Sequence, residues 1–288
     1  MDQEIDRPQL RRIVDFPLVS MLIAVLQLLL ATAAGLWLGR QVPPIGQPGT
    51  AAAHSAITIS LVLATYKLAI TRLGERPRDD LSGHRALRKL GLGLLAGALL
   101  YSLVVCVAAL IGVYRITGPG DASSLVLQLI SAGIMPAFIE ELLFRGILFR
   151  WLEEFAGSWA ALFATSALFG LSHILNPNAT WFSSFAIAVE AGPLLGGAYM
   201  LTRSLWMPIG LHAAWNFMQG AVFGVPVSGS PTNGLVQAKL AGPPLLSGGA
   251  FGLEASVIAL VIASGAGVWL VWLAVCRGQL VKPWWVSG

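Results

Sequence analysis

Charge is the scarcest commodity in this chain. Only 11% of its 288 residues are Asp, Glu, Lys or Arg, against roughly 25% in a soluble globular domain. So few ionisable groups cannot cover a soluble surface when 56% of the residues are hydrophobic and the mean hydropathy is +0.74. A soluble domain and a disordered chain are both excluded, and the class that remains is a polytopic membrane protein. The net charge of +4 is small and its basic groups fall in short loops, which argues against a nucleic-acid partner. Cysteine is nearly absent: Cys106 and Cys276 both sit in apolar runs, so they form no secreted-type disulfide framework and lack metal-ligand spacing. Packing is the role expected of them. HExxH and GxSxG are also missing, which removes the standard zinc-protease helix and one usual serine-hydrolase signature.

What is present is hydrophobic length. A bilayer core of about 30 Å needs about 20 apolar residues in a helix, and eight such stretches can be marked: 17–38, 51–70, 90–113, 125–149, 158–175, 181–201, 205–225 and 251–276. Backbone groups in lipid must be paired within their own segment, and these runs are too long for barrel strands, so the expected fold is an all-α polytopic transmembrane helical bundle. Gly91, Gly93, Gly97, Gly196 and Gly197 are expected to let helices approach closely. Arg7, Arg11 and Arg12 before the first run resemble the start of a signal peptide, with Ala31, Thr32 and Ala33 as its cleavage site, but the run continues to Leu38 and reads as an uncleaved span. The chain is expected to be one integral membrane domain over residues 1–288, with a catalytic core over 125–225.

Sorting Lys and Arg by side orients the bundle. With a cytoplasmic N-terminus, fifteen fall on the inner side, among them Arg7, Arg11, Arg12, Arg72, Arg76, Arg78, Arg85, Arg88 and Lys89, and only Arg40, Arg115 and Lys239 lie outside. That is a strong positive-inside bias, and it places both termini in the cytoplasm. The segment 72–89 reads as a solvated loop beside anionic head groups, and 226–249, rich in Gly, Pro and Ser, as an irregular external loop.

The informative residues are polar ones inside apolar runs. They are Glu140, Glu141 and Arg145 in FIEELLFRG, His173 at the end of FGLSH, Glu190, and His212 with Asn216 in LHAAWNF. Exposing Glu140, Glu141, Arg145 and Glu190 to lipid would cost roughly 3 kcal/mol each even on the lenient insertion scale, so they must face the bundle interior or a cavity. Glu141 and Arg145 are i and i+4, the favourable order for an ion pair on one helix face. Glu140 is turned about 100° away and is the freer carboxylate, poised to act as a general base. His212 and Asn216, and likewise Phe169 and His173, share the i, i+4 spacing. A carboxylate, two histidines and an asparagine suit attack of water on an amide, with donors for the developing oxyanion. Without Asn216 the set could instead hold zinc through Glu140, His173 and His212. Glu190 reads as structural, His54 as interfacial, and Trp37, Trp181, Trp206, Trp284 and Trp285 as aromatic belts.

The ordered motifs EExxxR (Glu140, Glu141, Arg145), FxxxH (Phe169, His173) and HxxxN (His212, Asn216), each on its own hydrophobic run, resemble those of the CPBP intramembrane proteases. That is the family of CAAX prenyl endopeptidase type 2 and of bacteriocin-processing and immunity proteins. The resemblance covers about 80 residues, from Glu140 to Asn216. It implies an eight-helix membrane endopeptidase whose site opens to the cytosol and whose partners are lipid and a peptide or protein substrate near the cytosolic membrane face. It further implies that Glu140 activates water with His173, that Glu141 and Arg145 shape the site, and that His212 and Asn216 stabilise the oxyanion. Catalysis without a cofactor is the favoured reading, because Asn216 then has a role; zinc dependence is the alternative. A non-proteolytic scaffold or immunity protein and a solute transporter are the competing classes. The preference for Arg over Lys, 14 to 4, points to a bacterial cytoplasmic membrane.

One dimension resists convergence of these groups. At 1.5 Å per residue, His212 and Glu140 lie about 10 and about 15 Å from the inner surface, and His173 about 24 Å. Tilt, or a fourth helix that continues past Phe149 towards Phe155, would close the gap.

Overall fold

Prolines, glycines and hydroxyl caps punctuate the chain where its helices begin and end. In a computed structural model, which describes residues 9–75, 78–83 and 85–286, a short helix α1 (Gln9–Asp15) precedes the long apolar helices. Pro17 opens α2 (Pro17–Gly39) at a position where its missing N–H costs nothing, and Pro48 does the same for α3 (Gln47–Arg72). Helix α4 (Ala86–Leu110) leads into strand β1 (Tyr114–Pro119). Helical structure then runs from Ala122 to Leu175. It comprises α5 (Leu125–Gln128), a π-helical stretch Leu129–Ile134, α6 (Met135–Glu141), a second π stretch Leu142–Phe149, and α7 (Arg150–Ser172). Within α7 the chain breaks at Gly157, whose φ of 82° and ψ of 168° only glycine adopts readily.

Thr180 and Ser183 form a reciprocal capping box at the start of α8 (Trp181–Thr202). Helix α9 (Trp206–Phe217) ends in a π turn, Met218–Val222. Strand β2 (Val236–Leu240), the short α10 (Pro244–Ser247) and α11 (Val257–Cys276), capped by Ser256, complete the fold. Among the described residues, six helical runs are long and apolar enough to cross a membrane: Pro17–Gly39, Gln47–Arg72, Ala86–Leu110, Ala122–Leu175, Trp181–Thr202 and Val257–Cys276. The chain is therefore an all-α integral membrane protein. The fourth of these runs joins the stretches read from sequence as the fourth and fifth spans. It continues through Phe149 and departs from helical φ/ψ at Gly157, and Glu140 and His173, carried on its two arms, line one cleft.

Close approach between helices rests on glycine. A Cβ on Gly93 would stand 2.2 Å from the Met207 carbonyl oxygen, one on Gly97 2.3 Å from that of Leu211, and one on Gly210 2.5 Å from that of Leu90, so α4 and α9 pack backbone to backbone. Gly196 packs on Leu162 and Gly197 on α11. Gly91 has open space around it and takes no part in this packing. Two buried clusters result, one centred on Tyr66, Leu142 and Trp151 among α2, α3 and α7, the other on Tyr101, Phe169 and Trp215 among α4, α8, α9 and α11.

Several loop and side-chain expectations need correction. The segment 226–249 is not irregular throughout, because β2 pairs antiparallel with β1, Arg115 opposite Lys239, with a bulge between Ile116 and Gly118. The segment 72–89 is only partly solvated. Asp80 is buried, accepts a hydrogen bond from the Tyr199 hydroxyl (2.8 Å) and pairs with Arg78 (2.8 Å), while its carbonyl caps Leu205 N (3.0 Å). Cys106 and Cys276 are exposed on the outer faces of α4 and α11 and are not core packing residues. Trp37, Trp181, Trp284 and Trp285 project outward, but Trp206 turns in and donates to the Leu81 carbonyl (3.2 Å). The His54 ring packs against Gly39, at the turn between α2 and α3. Arg7 and Arg76, counted above with the inner-side charges, lie outside the described residues.

Candidate active site

A 100° turn per residue separates the two glutamates of α6, and they lead different lives. Glu141 is fully buried and its Oε1 receives Arg145 Nη1 (3.0 Å) and meets His212 Nδ1 (2.9 Å). Arg145 is itself buried, with Nη2 on the Ala191 carbonyl (3.3 Å) and its guanidinium 4.7 Å from the Phe169 ring centre. A buried charge pair of this kind needs every such partner to offset desolvation. Pro193 contributes nearby: lacking an N–H, it frees the Val189 carbonyl one turn earlier, which Ser264 Oγ reaches from α11 (3.2 Å).

Glu140 faces the other way, into a cleft of about 470 Å³, and its side chain is 30% exposed. His173, His212 and Asn216 line the same cleft. His212 Nε2 lies 4.0 Å from Glu140 Oε2, too far for a hydrogen bond and suited to a water or a carbonyl oxygen held against both groups. Because Nδ1 of His212 is engaged by Glu141, its Nε2 is the nitrogen presented to Glu140. His173 is fixed similarly, its Nδ1 2.7 Å from the Phe169 carbonyl and its ring 4.9 Å from the Phe169 ring. Phe169 also stands edge-on to His212 at 6.1 Å, so one phenyl ring walls both imidazoles. Asn216 Nδ2 donates to the Ala132 carbonyl (3.1 Å), in the π-helical stretch before α6. The Leu129–Ile134 and Leu142–Phe149 stretches bracket the two glutamates, a placement π-helical turns often have at functional sites. The motif residues Glu140, His173, His212 and Asn216 thus share one cleft, and Glu141, Arg145 and Phe169 pack behind them.

Zinc would need three ligands. Among the described residues no three His, Cys, Asp or Glu side chains converge closely enough to hold an ion, and the set Glu140, His173 and His212 does not fit one as it stands.

Behind the histidines lies a smaller chamber that also reaches Glu190, Glu254 and Ser228. Glu190 is buried and its Oε2 has no hydrogen-bond partner. Glu254, in the turn that precedes α11, accepts the Ser228 N–H, and burial raises its carboxyl from 4.5 to about 7 against the opposing pull of that bond and of Gln219. Glu254 was missed from sequence although it carries the signal that exposed Glu190, a single acid at the edge of an apolar run. Gln219, fully buried with Nε2 on the Pro226 carbonyl (2.6 Å), gave no such signal because an uncharged amide does not stand out.

The rim of the cleft is formed by Ser230, Pro231 and Asn233, tied to the start of the long helical run by Ser124 Oγ on the Asn233 carbonyl (2.6 Å). These residues stand at the end of the bundle that carries β1 and β2. The 72–85 segment and the loop after α11 are at the opposite end, where Arg203 bonds both Glu153 and the Gln279 carbonyl. Cytoplasmic basic loops and a cytosol-open site are therefore incompatible in this fold.

Residues 122–218 match the family model Type II CAAX prenyl endopeptidase Rce1-like, a range that begins three residues before α5 and ends just after α9. No curated protein matches the chain, and no solved structure does. The matched segment is about a third of the chain and supplies every motif residue of the cleft, so over that stretch the chain is similar to the type II CAAX prenyl endopeptidases.

Proposed function

We propose that the cleft hydrolyses a peptide bond in a membrane-associated peptide or protein, by a route in which Glu140 is the general base. The observation that carries this reading is the meeting of Glu140, His173, His212 and Asn216 in one cleft, with 4.0 Å between Glu140 and His212. A water held against Glu140 gives that carboxylate a proton as its oxygen bonds to the scissile carbonyl carbon. The carbonyl oxygen takes the negative charge and meets the second Nδ2–H of Asn216 and a proton on His212 Nε2. Glu141 orients that imidazole through Nδ1, and Arg145 holds Glu141 in place. Glu140 then gives up that proton by way of His173 Nε2 to the departing amine as the C–N bond breaks; His173 Nδ1 donates to the Phe169 carbonyl, which leaves Nε2 to carry it.

Cleavage by the purified protein in detergent is the test. Glu140→Gln and His173→Ala are each expected to lower turnover by 10²-fold or more, roughly the contribution of one general acid or base, while the folded protein survives because Glu140 is partly exposed and its Oε2 is unpaired. Unchanged turnover in both variants overturns the assignment. A chelator added to the active protein separates the two catalytic types: the proposed route keeps its activity, and a zinc enzyme loses it.

A further inference from the structure

The two ends of the bundle carry very different numbers of cations, and the cleft opens at the poorer end. Among the described residues, twelve Lys and Arg stand at the end that holds the 72–89 segment and the turn after α11, and three, Arg40, Arg115 and Lys239, stand at the end that holds β1, β2 and the rim. Arg145 is buried between them. Several of the twelve also make bonds within the fold: Arg11 pairs with Asp15, Lys67 with Asp79, Arg78 with Asp80 and Arg203 with Glu153, and Arg150 reaches the Arg78 carbonyl. The difference between the two ends is twelve against three. Lys and Arg in short loops are retained on the cytoplasmic side during insertion and then lie against an anionic leaflet, each worth about 1 kcal/mol near that surface. The same asymmetry would have to be overcome if the bundle were inserted the other way.

The position of the mouth is fixed independently of charge. Asn178 Nδ2 bonds the Gly229 carbonyl (3.0 Å), Gly229 N bonds the Phe251 carbonyl (2.9 Å) and Gly120 N bonds the Leu235 carbonyl (2.9 Å), so the rim segment is tied to the far ends of α7, α11 and α4. A cleft so placed cannot be reached from the basic end without crossing the bundle.

We infer that the cleft faces away from the cytoplasm, so that the peptide bond it hydrolyses belongs to a segment displayed on the extracytoplasmic side of the membrane, in an exported chain or an outward-facing part of a membrane protein. This rests on the proteolytic reading above for the word hydrolyses, but the direction of the cleft can be measured without any cleavage.

Cysteine accessibility decides it. In a Cys106→Ser, Cys276→Ser background, Asn233→Cys marks the rim, Gln237→Cys marks β2 and Ser82→Cys marks the basic end; all three positions are exposed. A membrane-impermeant maleimide added to sealed right-side-out vesicles is expected to label Asn233→Cys and Gln237→Cys at least 10-fold more than Ser82→Cys, with Ser82→Cys catching up once the membrane is permeabilised. Labelling of Asn233→Cys and Gln237→Cys only after permeabilisation, or equal labelling of all three in sealed vesicles, overturns the inference. Lys239→Cys stands in for either marker that fails to insert. Failure here leaves the proteolytic reading intact, and loss of that reading through an active Glu140→Gln leaves the orientation standing.

Discussion

Adjacent residues of one helix can have opposite physical roles, and Glu140 and Glu141 illustrate it. The first is half free in a cleft; the second is sealed between a guanidinium and an imidazole. Removing Glu141 leaves Arg145 buried without its main counter-charge, so Glu141→Ala is expected to cost about 3–5 kcal/mol of stability, far more than Glu140→Ala, as chemical unfolding in detergent will report. Glu254 makes a different prediction. Burial holds its proton to about pH 7, whereas in the unfolded chain the proton leaves near 4.5. The folded state therefore has its full relative stability below pH 4.5 and loses it as pH rises to 7, by about 3 kcal/mol at 1.36 kcal/mol per pH unit. Glu254→Gln keeps an acceptor for Ser228 N and removes the titration. Its melting temperature should exceed that of the parent increasingly between pH 4.5 and 7 and by a constant margin above 7.

At the scale of helices, the site depends on how closely α4 approaches α9, because Leu211 precedes His212 and its carbonyl lies against Gly97. Adding one methyl there forces backbone apart. Gly97→Ala is expected to cost about 1–3 kcal/mol through overpacking and to lower turnover by shifting His212 from Glu141. Gly91→Ala is the matched control on the same helix, with open space at the new Cβ, and should be neutral or slightly stabilising in the same thermal melts. The helix that carries the glutamates shows the limit of periodicity. A span of about 20 residues predicts an end at Phe149, but no helix-stopping residue is present there and the helix runs on to the glycine at 157, where a positive φ becomes affordable.

Over the whole molecule, lipid replaces water as the surface solvent. Outward-facing Leu, Trp and Val cover the bundle, and both cysteines face outward with them. Cys106 and Cys276 should therefore remain unpaired on a non-reducing gel. They should also react with a lipid-soluble thiol reagent several-fold faster than with a charged one. Charge is sorted by end, and carboxylates not needed at either end are held inside by named partners or by a cavity.

Hydropathy and charge scarcity by themselves determined the membrane class and the helical architecture, because unpaired backbone is too costly in lipid to allow much else. Intrahelical spacing likewise separated Glu140 from Glu141 and paired Glu141 with Arg145, since 3.6 residues per turn fixes which neighbours share a face. Only the tertiary structure decided that His212 completes the Glu141 pair, that Glu254 and Ser228 adjoin the cleft, that a β-ribbon rather than a loose loop stands beside its mouth, and at which end that mouth opens. Those are contacts between segments tens of residues apart, set by glycine-mediated helix packing and by hydrogen bonds between loops, and no periodicity within one segment encodes them.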